Sequence, residues 1–181
     1  MADVLIGEHC PRERILDIGC GSFPLFLEKA PFREKFGIDQ LVSDAQKDEW
    51  SQRSVTLIQR DLDSEPVLPF SDDHFDVVTM LAVFEHIQES RLVPTVSEIH
   101  RVLRPGGVYV LTTPARWSGP ILFILSRLGL VSHSEIQEHK KTHTRRSIAK
   151  ILFQAGFSHK SITTGSFEAG MNLWAKATKT D

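Results

Sequence analysis

The chain has 181 residues, 41% of them hydrophobic and 24% charged, with a formal net charge of -2 at pH 7. That length fits one domain, residues 1–181, around one sizeable core. So balanced a charge gives no global field to draw nucleic acid or an anionic membrane, and no nucleic-acid partner is expected. Cys10 and Cys20 are the two cysteines; they offer no disulfide framework and no zinc-type spacing, which suits a reducing compartment. Residues 1–7 carry Asp3 and no basic region before an apolar stretch, so they do not read as a signal peptide. The most apolar run, Ile121 to Val131, contains Arg127 and is too short to span a bilayer, which takes about 20 apolar residues. A cytoplasmic protein without a membrane span is expected.

Strand and helix signals alternate along the chain. Arg14 to Ile18 is a short apolar run that ends in a glycine turn, a buried strand. Pro24 to Ala30 reads as a short helix with proline in its first turn. Lys35 to Asp39 is a second strand, Asp44 to Ser51 a helix and Val55 to Gln59 a third strand. Two prolines and an acidic cluster mark Pro66 to Asp73 as a loop. Phe75 to Leu81 is nearly continuously apolar, as expected of a strand covered on both faces. Val93 to Leu103 is an amphipathic helix with Val96, Ile99, Val102 and Leu103 on one face. Pro105-Gly106-Gly107 is a sharp turn before a fifth strand, Val108 to Thr113. Ile121 to Leu130 reads as a helix. Thr144 to Ala155 is a further helix, and Gly156 sits where a C-terminal cap belongs. Ser161 to Thr164 and Asn172 to Ala177 are closing strands. The alternation predicts a doubly wound α/β fold with a mainly parallel sheet and helices on both faces. In such a sheet ligands bind beyond the carboxyl ends of the strands, near the point where strand order reverses.

The loops at those ends carry the chemistry. Asp17-Ile18-Gly19-Cys20-Gly21-Ser22-Phe23-Pro24 follows the first strand, and its alternate glycines let backbone approach a ligand closely. A dinucleotide site wants a third glycine for the pyrophosphate. Here that glycine is missing, and the Asp17 carboxylate would repel an anion while attracting a ligand with ammonium and sulfonium groups. A tight strand-to-helix turn with no ligand is the alternative. Phe36-Gly37-Ile38-Asp39 places a carboxylate at the end of the second strand, where ribose hydroxyls bind in nucleotide folds; the alternative is a cap on the following helix. Gln59-Arg60-Asp61-Leu62-Asp63 ends the third strand. Asp61 there is placed to accept from an adenine amino group with Leu62 against the ring, or else belongs to a solvated acidic loop.

The order of Ile15-Leu16-Asp17-Ile18-Gly19-Cys20-Gly21, Gly37-Ile38-Asp39, Arg60-Asp61-Leu62, Phe75-Asp76-Val77-Val78 and Arg101-Val102-Leu103-Arg104-Pro105-Gly106-Gly107 resembles the class I S-adenosylmethionine-dependent methyltransferases. The likeness is to the small-molecule branch that includes the ubiquinone and menaquinone biosynthesis enzymes, and it runs from about Arg14 to Gly156. It implies a Rossmann-like, seven-stranded, mostly parallel sheet with an antiparallel last strand. It also implies S-adenosylmethionine as cofactor and a small-molecule acceptor. Asp17, Gly19, Cys20 and Gly21 would lie along the methionine part, Asp39 and Gln40 at the ribose, Asp61 and Leu62 at the adenine, and Leu81 and Ala82 near the sulfonium. Arg101 to Gly107 would be scaffold without chemistry. The sequence departs from the pattern at Phe23, where a third glycine is usual, in its short first helix, and in the near absence of helices before Ile15. The site is then open, covered by a second copy or a partner subunit, or covered by the segment after Thr113.

Residues 114–143 form an insertion on the acceptor side. Its apolar helix near Phe123 reads either as a lid over an apolar acceptor pocket or as a helix packed on the core or on another chain. His86 follows the fourth strand and His139 precedes the helix from Thr144; both are candidates for a proton-accepting or acceptor-contacting role. His133, Glu135, Glu138, His139 and His143 fit no standard ligand spacing, and no metal is expected.

Overall fold

The computed structural model describes residues 5–7, 10–115 and 143–180. Seven strands, β1 (Arg14–Ile18), β2 (Glu34–Asp39), β3 (Val55–Gln59), β4 (Phe75–Leu81), β5 (Leu103–Pro114), β6 (Ile162–Phe167) and β7 (Asn172–Thr178), form one sheet. Their order is β3-β2-β1-β4-β5-β7-β6. The first five pair in parallel, and β7 runs antiparallel to both of its neighbours. Successive connections move outward in opposite directions from β1 and from β4, so strand order reverses between these two adjacent strands. The expected mostly parallel sheet with an antiparallel last strand is what the chain forms.

Helices α1 (Leu25–Lys29), α2 (Asp44–Ser51), α3 (Glu89–Val102) and α4 (Arg145–Gln154) cover the two faces. Alternation along the strands sends neighbours to opposite sides. Leu16, Val78, Tyr109 and Leu111 pack with Leu92, Val96 and Ile99 of α3 and with Ile148 and Leu152 of α4. Ile15, Val77, Val108 and Val110 pack with Leu27 of α1, Trp50 of α2 and Ile6. Two helices start at capping boxes, in which an N-cap hydroxyl and the side chain three residues on satisfy each other's backbone N–H groups: Ser43 with Gln46 before α2, and Thr144 with Ser147 before α4.

The spans of α2, β3 and β4 fall on the expected residues. Two expectations need correction. Helix α3 begins at Glu89, a full turn before Val93, and carries Pro94 inside it, where the ring removes one helical N–H. The Pro105-Gly106-Gly107 turn is part of β5. The register against β4 jumps from Phe75↔Leu103 to Val77↔Val108, so Arg104 to Gly107 bulge out of a continuous strand. A backbone pair with Lys179 holds the bulge: the Gly106 N–H donates to its carbonyl, and its N–H donates to the Gly107 carbonyl. The helix expected at Ile121 to Leu130 lies outside the described residues. Among those described, no helix is long and apolar enough to cross a membrane.

Two buried carboxylates organise the sheet's interior. Asp76, 2% exposed, accepts from the backbone N–H groups of Glu13 at 2.8 Å and Arg14 at 2.7 Å, and pairs with the Arg104 guanidinium at 2.6 Å. It thereby fixes the entry into β1 and the β5 bulge at once. Asp17 stands opposite Thr79 on β4 and accepts its hydroxyl hydrogen at 2.5 Å. Burial pushes the Asp17 carboxyl from its ordinary 3.8 up to about 7; the Thr79 hydrogen bond opposes this and the Asp39 charge adds to it.

Two outcomes are expected. Asp76→Ala removes the shared acceptor of the Glu13 and Arg14 amides and of the partly exposed Arg104 guanidinium and should cost about 1–3 kcal/mol of unfolding free energy. Arg33→Ala, which breaks an exposed pair with Glu13, should cost under about 1 kcal/mol; similar urea midpoints for the two variants would overturn the clamp. For Asp17, the folded chain keeps a proton that the unfolded chain sheds between about pH 4 and about pH 7. Its stabilising contribution is therefore full below that window and lost as the pH rises through it. The Asp17→Asn variant does not titrate. It should gain on the wild type across the window by at most about 1.4 kcal/mol per pH unit, and a pH-independent difference between the two proteins in urea titrations would refute the assignment.

Candidate functional site

A cleft of about 370 Å³ opens at the carboxyl ends of β1, β2 and β3, closed on one side by the segment after β4. Its position is the crevice that the reversal of strand order creates, and its size lies within the range of small-ligand pockets. Of the residues singled out from sequence, Gly19, Asp39, Gln40, Asp61, Leu62 and His86 line it. Asp17, Cys20, Gly21, Leu81 and Ala82 stand behind or beside that wall. His139 lies outside the described residues.

Asp39 ends β2 with both carboxylate oxygens engaged by backbone. Oδ2 accepts from the Gly21 N–H at 2.9 Å and Oδ1 from the Leu41 N–H at 2.8 Å. Each oxygen keeps spare acceptor capacity, and Asp39 lines the cleft. The first bond ties the tip of β2 to the glycine turn after β1, so the carboxylate also positions the turn. Gly21 has φ +66° and nothing within 4 Å of where a Cβ would be, so its face is open to an approaching molecule. Gly19, at φ +73°, has the opposite surroundings: a Cβ there would come within 2.1 Å of a Val83 methyl. Glycine at 19 is what lets Val83, itself a cleft residue, lie against the turn.

Cys20 contributes backbone alone. Its thiol packs over Gly37, and burial with the Asp17 and Asp39 charges pushes it up to about 12, far from a reactive thiolate. Ala82 is exposed at the tip of β4 with φ +57°, a left-handed conformation uncommon outside glycine. Its N–H donates to the carbonyl and the hydroxyl of Thr112.

The third wall is self-bracing. Asp61 Oδ1 accepts from the Asp63 N–H at 2.9 Å, and Asp63 Oδ1 accepts from the Gln88 N–H at 2.8 Å, which ties this loop to the start of α3. Leu62, 8% exposed, joins the core and presents an apolar surface to the cleft. Arg60 directs its guanidinium to Glu65 at 3.0 Å and to the Val67 carbonyl at 2.8 Å. With that cation neutralised, Asp39, Asp61 and Asp63 leave the cleft acidic, suited to a cationic ligand with hydrogen-bond donors.

Sequence reasoning missed Asp63 and Val83, although both adjoin residues it named. It also missed Glu85. That side chain is 3% exposed, and its Oε2 meets no donor. The neighbouring Phe84 ring packs edge-on against His143, centroids 4.8 Å apart, on the β5 side of the segment. His86 itself is exposed and lines the cleft beside Val83 and Ile87.

Residues 4–161 match the family model described as the methyltransferase domain. The chain is 33% identical over 109 residues to a demethylmenaquinone methyltransferase of Symbiobacterium thermophilum, covering 55% of this chain and 42% of that protein. It is 30% identical over 178 residues to the demethylmenaquinone methyltransferase of Staphylococcus carnosus, covering 87% of this chain and 72% of the relative. It spans 42% and 37% of the first two curated relatives it matches. Among solved structures, a SAM-dependent methyltransferase of Thermotoga maritima superposes with a TM-score of 0.71 at 15% identity, over 98% of this chain and 86% of that one. A Haemonchus contortus phosphoethanolamine N-methyltransferase in complex with S-adenosylhomocysteine does so with a TM-score of 0.68 at 17% identity, over 97% and 51%. At these identities the likeness is one of fold. On the match of the family model to most of its length, the chain belongs to the methyltransferase domain family.

Proposed function

We propose that this domain binds S-adenosylmethionine in the cleft and transfers its methyl group to a small-molecule acceptor. The observation that carries this reading is Asp39, a carboxylate on the cleft wall, anchored through the Gly21 and Leu41 N–H groups with lone pairs to spare. Such an anchored acceptor suits a vicinal diol, and each hydrogen bond to a charged group is worth about 1.5–3 kcal/mol. Family membership and the demethylmenaquinone methyltransferase relatives support the same chemistry.

The residues present fit the cofactor. Asp39 would hold the ribose with Gln40 beside it. Leu62 would pack on the adenine and Asp61 accept from its amino group. The open face of Gly21 would admit the methionine arm, and Leu81 and Ala82 would flank the sulfonium. S-adenosylmethionine supplies an electrophilic methyl group on that sulfonium. The protein's part is orientation and exclusion of water, and alignment of this kind supplies about 7–11 kcal/mol of such a barrier. Asp17, sealed behind the turn, would act through its field and not by contact. His86 stands on the nucleoside wall, which makes it a wall residue here. The apolar character expected of the acceptor rested on the helix near Phe123, outside the described residues.

Calorimetry with S-adenosylmethionine tests the reading. Binding is expected, and Asp39→Ala should weaken it tenfold or more, since about 1.4 kcal/mol is a factor of ten. No binding by the wild type would favour a noncatalytic subunit of the same fold, and unchanged affinity in the variant would remove the ribose assignment.

A further inference from the structure

A second cavity, of about 460 Å³, lies over the β6 and β7 end of the sheet. Leu173, Ala175 and Ala177 of β7 pack into the α3 and α4 side of the core. Alternation turns Trp174, Lys176 and Thr178 to the opposite face, where Val108 and Val110 of the neighbouring β5 pack with Ile6. Those three residues line the cavity with Thr163 of β6, Lys160 and Ser161 from the turn before it, and Leu5 from the N-terminal segment.

Lys176 is at the centre of an interior strand, opposite Val110 on one side and Thr163 on the other. A lysine so placed wants a counter-charge or room to reach water. Among the described residues no carboxylate pairs with Lys176 or Lys160, and none lines the cavity. The Lys176 ammonium stands 3.9 Å from where a Gly7 Cβ would be, which holds its charge at the junction of sheet and N-terminal segment. This cavity is therefore cationic, whereas the cleft is acidic.

The remaining lining divides into donors and an apolar seat. The Ser161 hydroxyl is engaged with the Ser158 carbonyl at 3.0 Å. The hydroxyls of Thr163 and Thr178 are not so engaged among the described residues, so two ammoniums and two hydroxyls are left to donate. Trp174 stands opposite Gly165, where a Cβ would come within 2.4–2.6 Å of three indole atoms. The ring thus lies on the glycine, which fixes it as an apolar wall near Leu5. A carboxylate has one charge and two oxygens to offer four donors. A phosphate monoester has nearly twice the charge and three acceptor oxygens, and lysine binds phosphate as a point charge.

We propose that this cavity is a second ligand site, for an aromatic phosphate monoester, with the phosphate held by Lys160, Lys176, Thr163 and Thr178 and the ring against Trp174 and Leu5. None of these residues lines the cleft, and methyl transfer there is not required for the second site.

Phenyl phosphate, phenol and inorganic phosphate are the probes, titrated at constant ionic strength into the 15N-labelled protein with and without S-adenosylhomocysteine. Phenyl phosphate should shift the Trp174 indole N–H and the amides of residues 160–163 and 174–178. It should bind about tenfold tighter than either of the others, the worth of one hydrogen bond to a charged group. Lys176→Gln and Lys160→Gln should each weaken it by about tenfold, while Lys150→Gln, the same charge change on α4, should stay within about twofold. All three variants should bind S-adenosylhomocysteine as the wild type does. Should Lys176→Gln not fold, Lys160→Gln, at an exposed position, decides alone. Phenol or inorganic phosphate binding as tightly as phenyl phosphate, shifts confined to residues 39–41 and 61–63 of the cleft, an equal loss in Lys150→Gln, or wild-type affinity in Lys160→Gln overturns the proposal. If S-adenosylhomocysteine does not bind, the methyl-transfer reading falls, while the phenyl phosphate titration without it still decides the second site.

Discussion

Asp39 holds two pieces of backbone together with one side chain. Its carboxylate takes the Gly21 N–H from the turn after β1 and the Leu41 N–H from the turn after β2. In a parallel sheet the strand tips have no hydrogen-bonded hairpin to order them, so their loops must be tied by side chains or by packing. The tie places the glycine turn against the acidic wall and leaves lone pairs for a ligand. Its charge also reaches inward, where it helps to hold the buried Asp17 carboxyl near neutrality.

The two glycines of the turn divide their work in a way their spacing does not reveal. Gly21 presents open space, as a ligand-facing glycine should, whereas Gly19 is filled from the protein side by Val83. A motif of alternating glycines therefore holds two different surroundings, open space at one glycine and tight internal packing at the other.

Much of the fold was legible because the signals that wrote it are local. Continuous apolar runs marked β1 and β4, and Thr144 and Gly156 bracketed α4. The errors arose where a long-range contact overrides a local habit. Pro94 looks like an obstacle to a helix, yet Leu92, Thr95, Val96 and Ile99 bury the face on both sides of it. The Pro105-Gly106-Gly107 run looks like a turn, but pairing with Lys179, more than seventy residues on, keeps it within the strand. At the site, Asp39, Asp61 and Leu62 were readable from their place after strands. Asp17 is at its expected place too, but its burial against Thr79 depends on which strand lies beside β1. Glu85 left no sequence signal, since an acidic residue in a loop ordinarily faces water and only the packing around it shows that it does not.

The direction of β7 has a consequence for how the far rim is built. Because it opposes β5, its first residues stand beside the last ones of that strand, Asn172 by Pro114 and Leu173 by Thr113. The hairpin bend from Phe167 to Met171 is thereby carried up to the ligand-facing end, where the Ala115 N–H donates to the Met171 carbonyl. A parallel closing strand would have sent that bend to the opposite pole. The architecture thus splits authorship of the rim: the chain's first half shapes the acidic cleft, and a tight bend near its end borders the tip of β5, so one can be recut without disturbing the other.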